Sequence, residues 1–348
     1  MTATAGVLDT LGMFEAAAGL PEQIEGAVGA AEAVDGLPHH DDVEHVVVLG
    51  MGGSGVAGDL LTVVAGPFMP VPVVVHKGYG LPNFVDEHTL VFAVSFSGDT
   101  EETVESASDA ADAGARVVAI TRGGELGRLA GDWSAPVVDV AADIPMPRAG
   151  LGAVAIPPLV LLERIGLFPG ASAWIAAAVD QLRRRRDQLA GDDDAASRLA
   201  RQIGRQTPII YGGGGIGGVA ALRWKTQFNE NAKTAAFCNQ LPELCHNEIC
   251  GWGLNGDVTR QVFHVVNLRH EFEHPQIARR FALLDEIMRE VVGGVHEVVA
   301  EGEGALAQLL DLVMVGDFVT LRRAAQEGLD PGPVPVLDEM KRLLAPAH

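Results

Sequence analysis

The sequence has 348 residues, with 25 Lys and Arg against 46 Asp and Glu, a formal net charge of −21 and a pI near 4.8. That length exceeds what one hydrophobic core usually spans, so two domains are expected. A hydrophobic fraction of 48% with 20% charged residues excludes wholesale disorder. The acidic balance argues against nucleic acid as a partner, since affinity there comes from neutralising phosphates. The one basic cluster, Arg183 to Arg186, lies among helix formers and is followed by Asp187 and Asp192 to Asp194, which reads as a solvated helix face. No apolar run reaches the roughly 18 residues of a spanning helix, and the N-terminus lacks the basic start of a secretory signal. A cytoplasmic protein with no membrane partner is expected. Cys238, Cys245 and Cys250 fit neither a disulfide framework nor a zinc knuckle and are expected to be small buried hydrophobes.

The first forty or so residues carry no readable signature. Beyond them, short β-branched runs alternate with helical patterns, the mark of a parallel α/β sheet. Strands are predicted at 45–51, 71–77, 90–96, 116–122 and 135–141, with helices at 55–64 and 101–113 between them. From Pro147 to Leu189 the pattern is helical and reads as a connector. A second set follows, with strands at 207–213, 261–268 and 296–302 and helices at 217–230, 276–292 and 304–326. A proline-rich turn and a short helix close the chain. Gly50 and Gly212, 162 residues apart, each open a strand–glycine loop–helix unit, which suggests a duplicated fold. The predicted division is 1–150, a helical connector over 151–200, and 201–348.

GMGGSG (50–55) and GGGGIG (212–217) both satisfy G-x-G-x-x-G. Such a loop points the first amides of a helix at an anion. A dinucleotide also needs an acidic residue at the end of the next strand. Here that strand ends Val75-His76-Lys77, so a dinucleotide is disfavoured, His76 or Lys77 meeting a 2′-phosphate being the remaining route. The first loop instead carries a hydroxyl, Ser54. The third strand ends SFSGDTEET, with Ser95, Ser97, Thr100 and Thr103 around Gly98. An isolated turn of this kind is usually a helix cap, with Asp99 and Glu102 as a capping box. Two hydroxyl-bearing loops at the carboxyl edge of one sheet point instead to a phosphomonoester held by Gly53, Ser54, Ser95, Ser97 and Thr100. The second loop has no hydroxyl and is expected to be structural.

These residues resemble the SIS (sugar isomerase) domain family, in which a Ser-containing glycine loop and an S-x-S-G-x-T turn hold the phosphate of a phosphosugar. The block RWKTQFNENAKTAAFCNQLPELCHNEICGW (223–252) narrows the resemblance to the bifunctional phosphoglucose/phosphomannose isomerase group, over residues 45 to 345. The resemblance implies two SIS-type doubly wound α/β domains, each a parallel sheet flanked by helices. It implies an aldose–ketose isomerase of hexose 6-phosphates, glucose and mannose 6-phosphate exchanging with fructose 6-phosphate, with no cofactor and no metal. It assigns Glu230 of N-E-N as the base between C1 and C2, His246 of H-N-E-I as the ring-opening group, and Arg148 of MPRAG as the stabiliser of the enediolate. Lys341 in the last helix is the candidate to assist ring opening. A homodimer, with His246 reaching into the partner's site, is also implied. The chain departs from the group at Cys238 after Phe237 and at Cys245 before His246, where an aromatic residue and an asparagine are usual.

The residue types suit that chemistry. One carboxylate reaches both C1 and C2 of a cis-enediol, and partial desolvation would raise its basicity. As a plain structural residue, Glu230 would pair with Lys233. A developing enediolate needs a fixed cation, and Arg148 is otherwise a linker arginine. His246 has no second His or carboxylate at metal-ligand spacing. His39-His40 and the His270/His274 pair read as solvent-facing turns. The rival readings are a phosphosugar-sensing protein, another phosphosugar isomerase or amino-sugar enzyme, and an NADP-dependent oxidoreductase. A sensor would usually add a DNA-reading segment, and the one-domain isomerases and amidotransferases add accessory regions. Neither is visible.

Overall fold

The computed structural model describes residues 7–191 and 193–344, so Asp192 of the acidic run and the first six residues lie outside them. The chain begins with helices α1 (Met13–Ala18) and α2 (Leu20–Glu32). It continues through β1 (His45–Leu49), α3 (Gly52–Val64), β2 (Val73–His76), β3 (Thr89–Ser95), α4 (Glu101–Asp112), β4 (Arg116–Thr121), α5 (Gly124–Asp132) and β5 (Val137–Asp139). Three helices follow, α6 (Leu151–Ile165), α7 (Ala171–Gln188) and α8 (Ala195–Ile203). The second set is β6 (Thr207–Gly213), α9 (Gly214–Glu230), β7 (Phe237–Leu241), α10 (Gly256–Val262), β8 (Phe263–Arg269), α11 (Pro275–Met288) and β9 (Val295–Val299). Helices α12 (Ala305–Gln326) and α13 (Pro335–Leu344) end it.

All strand pairs are parallel, in the orders β2-β1-β3-β4-β5 and β7-β6-β8-β9. In both sheets the second strand lies outside the first and the third crosses to its other side. Each sheet therefore reverses direction once, between β1 and β3 and between β6 and β8, and leaves a crevice at the carboxyl ends of those strands. Central strands are apolar without alternation because helices cover both faces: β3 is buried at every position. The edge strands β2 and β7 are mostly half-exposed. Strand β7, FCNQL, has no β-branched residue and a single buried position, which is why the sequence pattern did not reveal it.

Several expectations change. The N-terminal helices are part of the core, with Met13, Phe14, Leu20 and Ile24 buried. The stretch expected to connect the halves starts with α6, whose apolar residues are buried against α2 and α3. Arg183 to Arg186 do not form one solvated face. Four consecutive residues sample the whole circumference of a helix, so Arg183 meets Glu25 at 2.7 Å and Arg186 meets Glu22 at 2.9 Å while Arg185 turns inward to Asp311 of α12 at 2.7 Å. Cys238 is half-buried on the edge strand β7, and Cys245 is half-buried and Cys250 exposed because 243–251 folds as two short 3-10 turns after it. His270 is buried, with Nε2 2.7 Å from the Gly213 carbonyl, whereas His39, His40 and His274 are exposed. No described helix is long and apolar enough to cross a membrane.

At the amino ends of β8 and β9, His264 and His296 stack with ring centroids 4.8 Å apart. Burial lowers the pKa of both, and His264, also beside the His296 ring, is pushed down to about 4. A folded-state pKa below the unfolded value means that the unfolded chain binds the extra proton, so this stability is complete above pH 6.5 and is lost as pH falls towards 4. For His264 it amounts to about 3 kcal/mol. Urea unfolding as a function of pH is expected to show this loss, and His264→Asn, which can keep the 3.1 Å bond to Gln206, is expected to flatten it.

Candidate active site

The reversal between β1 and β3 brings the two hydroxyl-bearing loops together. Helix α3 starts at Gly52, earlier than the pattern predicts, so Ser54 lies in its first turn and its Oγ accepts from the Phe96 amide at 3.4 Å. At the end of β3, the buried Ser95 Oγ accepts from the Gly98 amide at 3.1 Å and lies 2.9 Å from Thr100 Oγ1. Ser97 is exposed and accepts from the Asp99 amide at 3.2 Å. Gly98 has φ +84°, and a Cβ there would sit 1.9 Å from the Gly123 carbonyl oxygen, so only glycine closes this turn.

The capping box expected from Asp99 and Glu102 does not form. Thr100 is the N-cap of α4 and turns its hydroxyl to Ser95, while Asp99 accepts from the Glu125 amide at 2.9 Å. Neither α3 nor α4 has a side-chain cap. Two sets of free helix-terminal amides thus converge with four hydroxyls at one sheet edge, a donor set suited to a small dianion. Lys77 leans across this loop but is ion-paired with Asp59, and His76 Nε2 lies 3.2 Å from the Tyr79 carbonyl. With both engaged and no carboxylate at that strand end, the dinucleotide alternative has no ribose-reading group.

Arg148 joins this rim to the second half. The Gly53 backbone packs beside that segment: a Cβ there would lie 3.7 Å from the Arg148 Cα, in ordinary contact. The Arg148 side chain is 3% exposed. Its Nε donates to Asn231 Oδ1 at 2.8 Å, and its Nη2 donates to the carbonyls of Pro331 and Gly332 at 2.5 and 2.6 Å. Nη1 has no hydrogen-bond partner among the described residues and lies 3.6 Å from Glu230 Oε2. Burial pulls the guanidinium pKa down and Glu230 partly offsets this, but guanidinium remains charged at any working pH. Glu230 is the last residue of α9, with its side chain 32% exposed. Lys233 does not pair with that carboxylate: its ammonium donates to the Glu230 and Pro331 carbonyls at 2.5 and 3.2 Å. Burial, then the Arg148 charge, lower its pKa.

The support for Arg148 was not visible in the sequence. Asn231 Nδ2 donates to Thr320 Oγ1 at 3.0 Å, and Arg223 donates to the Arg148 carbonyl and to Asp317. Gln227 also donates to Asp317, at 2.8 Å. Arg223 and Asp317 are charges set in apolar helical runs, the one cue that could have marked them.

Neither His246 nor Lys341 makes a hydrogen bond or ion pair with Arg148 or Glu230 among the described residues. Strand β7 runs from the amino to the carboxyl edge of its sheet, so Glu230 before it and His246 after it lie at opposite ends of a strand of roughly 13 Å. His246 is exposed at the end of a 3-10 turn, and Lys341 is exposed on α13, a helix with no buried residue.

Residues 192–344 match the bacterial phospho-glucose isomerase C-terminal SIS domain, and residues 41–131 match the SIS domain. The chain is 36% identical over 337 residues to the bifunctional phosphoglucose/phosphomannose isomerase of Caldicellulosiruptor bescii, covering 96% of this chain and 99% of that one. It is 30% identical over 307 residues to the protein of the same name from Thermoplasma volcanium, covering 87% and 92%. In fold it is similar to the C-terminal domain of glucosamine-fructose-6-phosphate aminotransferase from Francisella tularensis, with TM-score 0.71 at 15% identity over 92% of this chain and 97% of that one. The glycine loops, the N-E-N and H-N-E-I segments and these matches agree, and the chain belongs to the bifunctional phosphoglucose/phosphomannose isomerase family.

Proposed function

We propose that the protein interconverts glucose 6-phosphate and mannose 6-phosphate with fructose 6-phosphate through a cis-enediolate. The observation that carries this reading is the buried guanidinium of Arg148, which keeps one nitrogen without a hydrogen-bond partner, 3.6 Å from Glu230 and next to the Gly53–Ser54 loop. Gly53, Ser54, Ser95, Ser97 and Thr100 hold the phosphate in this reading. Glu230 removes the C2 proton and returns it to C1, and Arg148 Nη1 donates to the enediolate oxygen. The enediolate is common to both C2 epimers, so one base serves both. The developing charge rests on the guanidinium, and the chemistry needs no metal. Residues 1–150 supply the phosphate grip, 201–348 the base, and 151–200, packed on the first half through α6, join them.

We further propose a homodimer in which His246 opens the sugar ring in the partner's site. Its separation from Glu230 by the length of β7 supports this, as do the large exposed apolar residues on either side of it in sequence, Phe237, Leu254 and Val258. Lys341 sits on α13 among exposed Val336, Met340 and Leu343, a face that a second copy would cover.

In a coupled assay with each hexose 6-phosphate, Glu230→Gln is expected to lower kcat by about 10²–10⁴, and a chelator is expected to leave the rate unchanged. Full activity in the variant, or loss of activity with chelator, would refute the mechanism. Asn231→Ala leaves Arg148 Nε without its acceptor, and is expected to cost about 2 kcal/mol in denaturant unfolding together with a lower kcat. Glu230→Gln and His246→Ala chains, each inactive alone, are expected to recover about a quarter of wild-type activity when randomly mixed as dimers, because only the mixed dimer has one intact site. No recovery would place both residues in one chain's site.

A further inference from the structure

The glutamate of the H-N-E-I segment has no part in the chemistry above, yet it is the best-held residue of the turn that carries His246. Tyr211 and Asn239 are direct partners across β6 and β7, so both side chains point to the same face of the sheet. Both donate to one carboxylate: Tyr211 Oη to Glu248 Oε1, and Asn239 Nδ2 to Glu248 Oε2 at 2.7 Å. The phenol is buried, and burial with the adjacent carboxylate raises its pKa strongly, which keeps it a donor. Leu244 is buried in the same cluster, with Cys245, Ile249 and Trp252 packed against it. Asn247 closes the turn: its Oδ1 accepts from the Glu248 amide at 2.6 Å and its Nδ2 donates to Glu243 at 2.7 Å. His246 is thus exposed on a segment fixed from both sides.

We propose that Glu248 is a positioning residue that holds His246 in the orientation needed for ring opening. This rests on the reading of His246 given above. The two bonds need a carboxylate. A glutamine offers one acceptor to these two donors: turned one way it sets its NH2 against Asn239 Nδ2, turned the other it leaves the Tyr211 hydroxyl hydrogen without an acceptor, and Asn239 cannot turn over because its Oδ1 already accepts from the Gln240 amide at 2.8 Å. Asn239→Asp added to Glu248→Gln restores an acceptor opposite that donor.

The test uses the full-length protein and follows both kcat for fructose 6-phosphate formation and the α/β-anomer exchange of glucose 6-phosphate by NMR. Glu248→Gln is expected to lose about tenfold or more in both, the loss that follows when a hydrogen bond to a charged group is removed, with KM little changed. The Asn239→Asp, Glu248→Gln double variant is expected to regain most of the rate. In a His246→Ala background, Glu248→Gln is expected to add no further loss, because both act through one group. The proposal is overturned if Glu248→Gln keeps full anomer exchange while His246→Ala loses it, or if the two losses multiply. If His246→Ala itself keeps wild-type anomer exchange, the reading of His246 fails first and the proposal falls with it.

Discussion

The site depends on the burial of one guanidinium. Arg148 comes from the segment that follows the first sheet, and its hydrogen bonds go to the end of α9 and to the loop at Pro331 and Gly332. A buried cation tolerates no unsatisfied donors cheaply, so every partner has to be in place at once. Meeting that demand holds the Arg148 segment, the end of α9 next to Glu230 and the loop at Pro331 and Gly332 in one arrangement. The nitrogen left over is the part of the structure that a ligand oxygen can satisfy.

Around that clamp the two halves use one topology differently. Both sheets reverse at the same point, and both have a glycine loop on one side of the crevice. In the first half, hydroxyls and uncapped amides occupy the crevice. In the second, the crevice is closed by the chain itself: His270 bonds the Gly213 carbonyl, and a Cβ on Gly213 would meet Ile277 and Phe281. Its glycines serve close packing of strand, loop and helix. The second half contributes instead through the far end of α9, where Glu230 and Asn231 meet Arg148.

The charges are placed with similar economy. Net charge is strongly negative, yet Arg148 and Arg223 are buried beside the site with Asp317, next to the half-buried Glu230 and the exposed Lys233. Asp317 faces Arg223 and Gln227, and Lys233 is spent on two carbonyls. Arg148, whose Nη1 has no partner among the described residues, is the cation beside the Gly53–Ser54 loop and Glu230, where a substrate anion would develop charge.

The parallel sheets, the glycine loops and the hydroxyl turns were legible in the sequence because each is a local pattern: β-branched runs, Gly at fixed offsets, Ser and Thr around Gly98. So was the candidacy of Glu230, His246 and Arg148, through the short segments that contain them. Other features needed the folded chain. Strand β7, the inward turn of Arg185, the burial of His270 and the failure of the Asp99 capping box all depend on neighbours distant in sequence. The support of Arg148 by Asn231, Thr320 and the 331–332 carbonyls does too, since those contacts close loops of up to 184 residues. Local composition determines which elements form and which chemical groups are on hand; the tertiary structure decides which of those groups are buried, paired or left with a free donor, because hydrogen-bond satisfaction in a closed interior is settled by three-dimensional neighbours.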